Sequence, residues 1–402
     1  MNMSKLSYLV AAALAVAATA ACEKNSGADS DENPAKFENI ARTFVNRTVV
    51  PTYSALADNS QLLVEKLNAF KANKSQANLN AACEAFLDAR KYWEKSEAFL
   101  FGAATSFGID PHIDSWPLDE PTLKQELANK DKISQMEGED GDVYAGETLG
   151  NALLGFHGVE YILFENGAPK TYTRISDTEL VYAIAVAGDL RNNTFRLEVS
   201  WTPESEWSAT TRERSERITE DLEQEYTLSG SSLNYGDNML QASVAGSTYS
   251  SWYNVIDDII DGCKTIADEV GTSKIGKPNS GEDEKYIESP YSYKSIEDFK
   301  DNMISIRNVY YGGQDAESLG SSSDNYNSSA SLHGFLQSAA PDLDARIVAA
   351  IDNAISKVSA MKAPFVLNYK DASAKTAIEA CRALDDVLSE AKTSKLIAAG
   401  LI

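Results

Sequence analysis

The sequence predicts an all-α protein with two related helical-bundle domains packed around a cleft and joined by long irregular loops. Apolar residues recur at spacings of three and four over most of the chain, which is the period of a helix packed on one face. Alternating runs rich in Val, Ile and Thr, typical of strands, are not found. The chain has 402 residues, of which 43% are hydrophobic and 24% charged. This length and composition fit two or three globular domains.

The first 35 residues predict an exported and lipid-anchored chain. Lys5 is the only charged residue among residues 1–21 and precedes an Ala-rich apolar run, which is the layout of a secretory signal peptide. Cys22 follows Thr-Ala-Ala, small residues that resemble a bacterial lipoprotein processing site, so we expect its lipidation. The apolar run is marginal for a membrane span, which needs about 20 apolar residues. Residues 22–35 are polar and predict a flexible lipidated tether.

The N-terminal bundle is predicted over residues 36–230. Segment 103–122 contains three prolines and Gly108, so we expect an irregular loop there. Residues 202–236 have mixed character and are expected to hold the end of a helix and a connection. Helical periodicity predicts helices over 37–70 (interrupted at Pro51), 79–101, 146–164 and 177–199.

The C-terminal bundle is predicted over residues 231–402 and repeats this plan in pattern, although not in sequence identity. Loops are expected over 271–293 and over 312–330, which is rich in Gly, Ser and Asn. Helices are predicted over 239–270, 296–310, 332–336, 343–361 and 372–388.

The charge of the chain limits the classes of ligand. Thirty-six Lys and Arg residues face 60 Asp and Glu residues, a formal net charge of −24. Such a surface repels phosphate backbones, so we expect no nucleic acid as a partner, whereas cations are favoured. Three histidines exclude a site built mainly from histidine, and four cysteines are too few for a disulfide scaffold.

The stretch Gly-Phe-His-Gly-Val-Glu at residues 155–160 is the strongest candidate for a site. His157 and Glu160 are three residues apart, so on a helix they share a face and can bind one ion. Gly155 and Gly158 each cost about 1 kcal/mol in a helix interior. This cost predicts that another backbone approaches the helix closely. Alternatively, His157 only pairs with Glu160 across one turn and fixes the helix in its bundle.

Further ligands must come from other segments. Asp114 lies in a stretch stiffened by prolines and an aromatic residue, and Glu97 lies near the end of the second predicted helix. We expect both carboxylates to join the site. Ser96 and Trp116, their sequence neighbours, are expected to support the ligands without binding the ion.

We expect structural or surface roles for the other candidate site residues. Glu94 is three residues from Glu97, but solvent exposure is the expectation for it in such an acidic chain. His112 is expected to be a packing or surface residue. His333 has no acidic residue three or four positions away, so we expect a structural role.

These motifs resemble imelysin-like proteins. The resemblance depends on Gly-x-His-x-x-Glu at 155–160, on Ile-Asp-Ser-Trp-Pro-Leu at 113–118, and on the segment 90–102. It implies two related helical bundles with the histidine motif near a cleft between them. It also implies an association with iron-uptake systems and metal binding, while a peptidase label comes from the family's named member. His112 stands where the family usually has Arg.

We therefore predict a lipoprotein that captures a metal ion, or a metal-containing ligand, in the cleft between the bundles. The predicted metal ligands are His157, Glu160, Asp114 and Glu97, and imidazole with carboxylates suits Fe or Zn. The expected partners are the membrane, through the N-terminal lipid, and components of a metal-uptake system. The expected location is the outer membrane, with the protein facing the periplasm or the cell surface.

Two other classes stay open. A zinc peptidase needs three protein ligands, an open water position and a general base. Its usual helical signature, His-Glu-x-x-His, is replaced here by His-x-x-Glu, so we favour a binding protein over a metallopeptidase. A purely structural or interaction lipoprotein is the third class.

Overall fold

A computed structural model of the chain describes residues 32–314 and 328–402, and this part is almost entirely helical. The predicted all-α class is confirmed. A two-residue hairpin pairs strand β1 (Phe164–Glu165) antiparallel with strand β2 (Ala168–Pro169). No helix in the described ranges is long and apolar enough to span a membrane.

The predicted signal peptide and Cys22 lie outside the described residues, so both stay predictions. The same holds for most of the predicted tether. Its last four residues, 32–35, already belong to the first helix.

The N-terminal half contains eleven named α-helices within the described residues. They are α1 (Glu32–Thr43), α2 (Val50–Ala72), α3 (Gln76–Glu94), α4 (Ala103–Ser106), α5 (Ile109–Ile113), α6 (Glu120–Ala128), α7 (Lys130–Met136), α8 (Gly141–Thr148), α9 (Gly155–Leu163), α10 (Asp177–Trp201) and α11 (Ala209–Glu216). Short 3₁₀ turns cover Glu97–Phe99, Asn151–Leu153, Tyr172–Arg174 and Glu204–Glu206, and π-helical segments cover Phe44–Val49 and Arg217–Asp221.

The C-terminal half contains nine named α-helices within the described residues. They are α12 (Tyr235–Leu240), α13 (Trp252–Glu269), α14 (Gly276–Ser280), α15 (Ser295–Tyr311), α16 (Leu332–Ala339), α17 (Pro341–Ser359), α18 (Phe365–Asn368), α19 (Ala372–Leu388) and α20 (Thr393–Ala398). A π-helical segment, Val270–Lys274, follows α13, and 3₁₀ turns cover Ser328–Ala330 and Ser389–Ala391.

Helix α2 packs against both α3 and α10. In the C-terminal half, α13 packs against α15 and α19, and α17 packs against the same two helices. One contiguous hydrophobic cluster contains side chains from both halves of the chain. Helix α10 begins at a capping box, in which Ser176 and Glu179 satisfy each other's backbone N–H groups. The division into two domains at residue 230 stays a prediction.

The predicted loop over 103–122 is partly wrong, because it contains α4, α5 and the start of α6. Pro111 and Pro121 lie in the first turns of α5 and α6. A first-turn N–H has no partner within its helix, so proline costs little at that place.

Two predicted long helices are each broken in two. The helix predicted over 146–164 is interrupted between α8 and α9, where Leu149 and Leu154 are extended. The helix predicted over 239–270 is interrupted between α12 and α13, where Gly246 has a φ of +103° and Ser251 caps α13. The region predicted as a loop over 271–293 contains the end of a π-helical segment and α14.

Another backbone segment lies close to Gly155, as predicted from the cost of glycine in a helix. It begins α9 with a φ of +63°, and a Cβ there would lie 1.9 Å from the carbonyl oxygen of Ile113. Gly158 is also confined, since its Cβ would lie 2.6 Å from the carbonyl oxygen of Leu153. The contact at Gly155 brings the end of α5, and therefore Asp114, against the start of the helix that carries His157.

Candidate functional site

A cluster of buried charged side chains lies where elements of the two halves of the chain meet. Each member is less than a tenth exposed. The cluster, called the charged cluster below, consists of Arg90, Glu94, Glu97, Asp114, His157, Glu160, Lys274, Glu288 and Asp298. Six carboxyl groups therefore face one guanidinium, one ammonium and one imidazole.

Arg90, on α3, organises one side of this cluster. Its guanidinium forms ion pairs with the carboxylates of Asp114 and Glu288, and its Nη2 lies 2.5 Å from Oε1 of Glu94. The indole Nε1 of Trp93 donates to Oδ2 of Asp114 at 2.8 Å. Burial opposes the ionisation of Asp114, but the Arg90 guanidinium and His157 outweigh it and hold the pKa of this carboxyl well below its usual range.

His157 lies between two carboxyl groups. Its Nε2 is 3.0 Å from Oδ1 of Asp114, and its Nδ1 is 3.6 Å from Oε2 of Glu160. Burial disfavours the charged imidazole, but the hydrogen bond to Asp114 and the nearby carboxylate of Glu160 outweigh it and raise the pKa of His157 to about 9. His157 is therefore an imidazolium at neutral pH when no metal is bound.

Glu160 connects α9 to the C-terminal half. Its Oε1 accepts from the backbone N–H of Tyr291 at 3.2 Å and of Ser292 at 2.8 Å, and from the Ser292 hydroxyl at 2.7 Å. Its Oε2, on the side of His157, is buried and has no hydrogen-bond partner among the described residues. One oxygen thus fixes the side chain, and the other is available to a ligand.

Lys274 supplies a second buried cation from the π-helical segment after α13. Its Nζ lies 3.0 Å from Oε1 of Glu97, 3.3 Å from Oε1 of Glu288 and 3.8 Å from Oε2 of Glu94. Burial lowers the pKa of Lys274, but the surrounding carboxylates, Glu288 first, outweigh it and raise the pKa well above its usual value. Lys274 therefore keeps its charge.

Burial disfavours ionisation of the remaining acids. It raises the pKa of Glu288 to about 7 and the pKa of Glu97 and Asp298 well above their usual values. The solvent exposure expected of Glu94 is wrong: the side chain is fully buried, burial raises its pKa, and its Oε2 accepts from Nδ2 of Asn302 at 2.6 Å. Glu94 is one helical turn after Arg90, so it shares the inward face of α3.

Two groups of three residues have ligand atoms close enough to hold one metal ion. One consists of Asp114, His157 and Glu288, and the other of Glu94, Glu97 and Asp114; within each, the ligand atoms lie within 4.8 Å of one another. Lys274 contacts both glutamates of the second group. Lys274 also contacts Glu288 of the first group, and each group keeps one glutamate oxygen without a hydrogen-bond partner among the described residues: Oε2 of Glu288 in the first and Oε1 of Glu94 in the second. The first group differs in that it includes the imidazole of His157.

The four predicted ligands therefore lie in one cluster but do not form one group. Asp114 and His157 belong to the first group, Glu97 belongs to the second, and Glu160 is beside His157. Glu288 was missed because it lies in a segment without periodicity between α14 and α15, where the sequence offers no signal for a ligand.

The two predicted supporting residues differ in their positions. The ring centre of Trp116 is 5.8 Å from that of His157 and 5.0 Å from Nζ of Lys274, so Trp116 lies against the ligands. The Ser96 hydroxyl instead donates to the carbonyl of Trp93 at 2.7 Å, which stabilises the turn before Glu97.

The other two histidines form pairs outside the charged cluster. Nε2 of His112 is 2.8 Å from Oδ2 of Asp189, and Nδ1 of His333 is 2.8 Å from Oδ1 of Asp344. The latter oxygen also accepts from the hydroxyl of Tyr310 at 2.7 Å. Both acids are distant in sequence, so local spacing could not reveal these pairs.

These features define a class: an all-α protein with a buried cluster of one histidine and several carboxylates between the two halves of the chain. The Imelysin family model matches residues 49–391, and the chain belongs to this family.

Relatives and solved structures agree with this assignment. Iron-regulated protein A of Synechococcus elongatus is 28% identical over 269 residues, which are 67% of this chain and 63% of that protein, slightly less than two thirds of its length. A crystal structure described as an iron-regulated protein A precursor from Parabacteroides distasonis has a TM-score of 0.74 and 30% identity, and covers 92% of this chain and 97% of its own. An imelysin-like protein from Psychrobacter arcticum shares the fold, with a TM-score of 0.58, 13% identity, and coverage of 90% of this chain and 96% of its own.

Proposed function

We propose that the protein binds a metal ion, iron first, through Asp114, His157 and Glu288, with Oε2 of Glu160 beside them. The observation that carries this proposal is the pair of buried carboxylate oxygens, Oε2 of Glu160 and Oε2 of Glu288, that have no hydrogen-bond partner among the described residues. A buried polar atom without a partner costs about 1–3 kcal/mol, and a metal ion next to it removes that cost.

The charge balance of the cluster supports a cation. Six carboxyl groups face three basic groups, even when His157 is counted as charged. Burial raises the pKa of Glu94, Glu97, Glu288 and Asp298, and a further cation beside these acids would offset that penalty on their charged forms. A divalent or trivalent ion would supply the missing positive charge.

The residues around the ligands are suited to orient them. Trp93 donates to Oδ2 of Asp114, Arg90 donates to Oδ1, which also faces His157, and Ser292 holds Glu160. Such hydrogen bonds to ligating side chains raise metal affinity in many sites. Binding through His157 also requires loss of a proton from the imidazolium, so it releases a proton to solvent.

The choice of iron has two supports. Imidazole and carboxylate donors suit iron, and two similar proteins carry the name iron-regulated protein A. Combined with the predicted signal peptide and lipidated Cys22, this gives a lipid-anchored protein of the cell envelope that hands iron to an uptake system. Peptidase activity is disfavoured because the usual His-Glu-x-x-His signature is absent, and Asp114 and Glu288 are almost fully buried.

The test is a calorimetric titration of the chain from residue 22 onward, which includes every described residue. The protein is stripped with chelator and titrated with Fe(II), Fe(III), Zn and Ca. We expect one equivalent of iron to bind, with loss of binding in His157→Gln and Glu288→Gln. His112→Gln is the matched control, since it removes a histidine paired with an aspartate outside the cluster.

Absence of binding in the wild-type chain, or equal binding in His157→Gln, would contradict the proposal. Incubation of the iron- and zinc-loaded forms with an unfolded protein substrate tests the peptidase alternative, and we expect no cleavage.

A further inference from the structure

A cavity of about 510 Å³ lies directly outside the charged cluster, and His157 forms part of its wall. This volume is in the range of pockets that hold small organic molecules. The cavity is called the vestibule below. Its apolar lining consists of Trp116, Pro117, Leu118, Pro121, Ile287, Pro290, Tyr291 and Val366.

Such a lining does not suit a hydrated metal ion. Proline, leucine, isoleucine and valine side chains offer no hydrogen bonds to the water shell of an ion, so the shell would lose partners on entry. An organic molecule with an apolar face gains free energy from the same walls, because its surface leaves water. The vestibule therefore favours a metal ion that arrives inside an organic complex.

Trp116 offers a bound ligand two specific contacts. Its ring centre lies 5.2 Å from that of Tyr286 and 5.8 Å from that of His157. The indole Nε1 is buried and has no acceptor among the described residues. An oxygen atom on a ligand in the vestibule would accept this hydrogen bond, and an aromatic ring would pack on the indole.

The charges at the rim favour an anion. Glu120 pairs with Lys124 at 3.0 Å and accepts from the hydroxyl of Tyr291 at 2.8 Å. Glu284 pairs with Lys370. Lys285, also in the lining, makes no ion pair within the described part of the chain. Among the residues that line the vestibule, the charge left without an ion pair is thus positive, although the chain as a whole is strongly acidic.

We propose that the vestibule binds an iron chelate whose organic part is aromatic, anionic and bonded to iron through oxygen, as in a catecholate complex. The ring lies against Trp116, one oxygen accepts from Nε1 of Trp116, and the iron faces His157. This inference rests on the proposed metal-binding function and names the form in which the metal arrives.

The test compares two Fe(III) complexes, one with 2,3-dihydroxybenzoate and one with nitrilotriacetate, which has no aromatic ring. Binding is measured by quenching of tryptophan fluorescence and by calorimetry. We expect the aromatic complex to bind at least about tenfold more tightly, which is the effect of one hydrogen bond and one ring contact.

Three variants locate this preference. Trp116→Phe keeps a ring but removes the donor, and should weaken the aromatic complex about tenfold. Val366→Trp should block the vestibule and abolish binding of this complex while leaving bare iron binding intact. Lys285→Gln should weaken it several-fold at low salt, whereas Lys375→Gln, an exposed lysine away from the vestibule, should have no effect.

The outcomes separate the two proposals. Equal affinity for both complexes, or full affinity in Trp116→Phe and Val366→Trp, would overturn the vestibule assignment while binding of bare iron still supports the metal site. Failure of bare iron to bind, together with tight, Trp116-dependent binding of the aromatic complex, would support the vestibule and overturn the metal site. Failure of both would overturn both.

Discussion

Removal of the Lys274 charge should strongly destabilise this protein. Its Nζ lies within 4 Å of carboxylate oxygens of Glu94, Glu97 and Glu288, and the side chain is fully buried. Lys274→Met keeps the length of the side chain and removes the charge. Removal of one partner of a buried ion pair costs about 3–5 kcal/mol, because the other partner stays buried without compensation.

The loss should depend on pH. Without Lys274, the pKa of its carboxylate neighbours rises further, and each unit of pKa corresponds to about 1.36 kcal/mol. An acid whose folded pKa is above its unfolded value contributes stability below the unfolded pKa and loses it as pH rises through the folded pKa. We therefore expect a deficit of about 3–5 kcal/mol at pH 8 and a clearly smaller deficit at pH 5, where these acids take up protons.

The assay is urea unfolding of the metal-free chain, followed by circular dichroism at both pH values. Lys375→Met is the control, because Lys375 is largely exposed and only 4.0 Å from Glu379. An exposed pair of this kind is worth less than about 1 kcal/mol. In the calorimetric metal titration, Lys274→Met should bind a second equivalent of metal, between Glu94 and Glu97. A pH-independent deficit below about 1 kcal/mol would refute the role of Lys274 as the buried counter-charge.

Three further predictions concern the elements around the cluster. Gly155→Ala should lower the free energy of unfolding by several kcal/mol in urea melts, because its Cβ would strike the Ile113 carbonyl. Gly108→Ala, the control, has open space around its Cβ and a φ of +65°, so it should cost only about 1–2 kcal/mol. Equal costs would contradict the close approach. The raised pKa of His157 contributes stability that is present below about pH 6.5 and is lost as pH rises through about 9. His157→Gln should flatten that part of the pH–stability curve, and an unchanged slope would disprove it. His112→Gln should shift the melting temperature but leave iron affinity unchanged; a loss of affinity would place His112 in the site.

The sequence was sufficient for features that depend on local pattern. Helices α10, α15 and α19 coincide closely with their predicted ranges, because each carries an uninterrupted apolar face bounded by caps or turns. The proximity of His157 and Asp114 followed from a helix motif and a stiff segment. The cost of Gly155 also indicated that a second backbone must approach.

Features that depend on tertiary contacts were not accessible in the same way. Glu288 and Lys274 lie in segments without a clear period and reach the cluster only through the packing of the C-terminal half against α3. Glu94 resembles any surface glutamate in an acidic chain until Arg90, one turn earlier, is known to be buried. The breaks between α8 and α9 and between α12 and α13 arise from glycines with a positive φ and from local capping. The spacing of apolar residues continues across both breaks, so the sequence pattern did not reveal them.

We propose that iron binds at Asp114, His157 and Glu288. The most direct measurement is anomalous diffraction at the iron absorption edge from crystals of the iron-loaded chain. We expect one strong anomalous peak within bonding distance of a His157 ring nitrogen and of carboxylate oxygens of Asp114 and Glu288, with Lys274 still beside Glu97. A peak between Glu94 and Glu97 with Lys274 displaced, or no peak in the charged cluster, would contradict it.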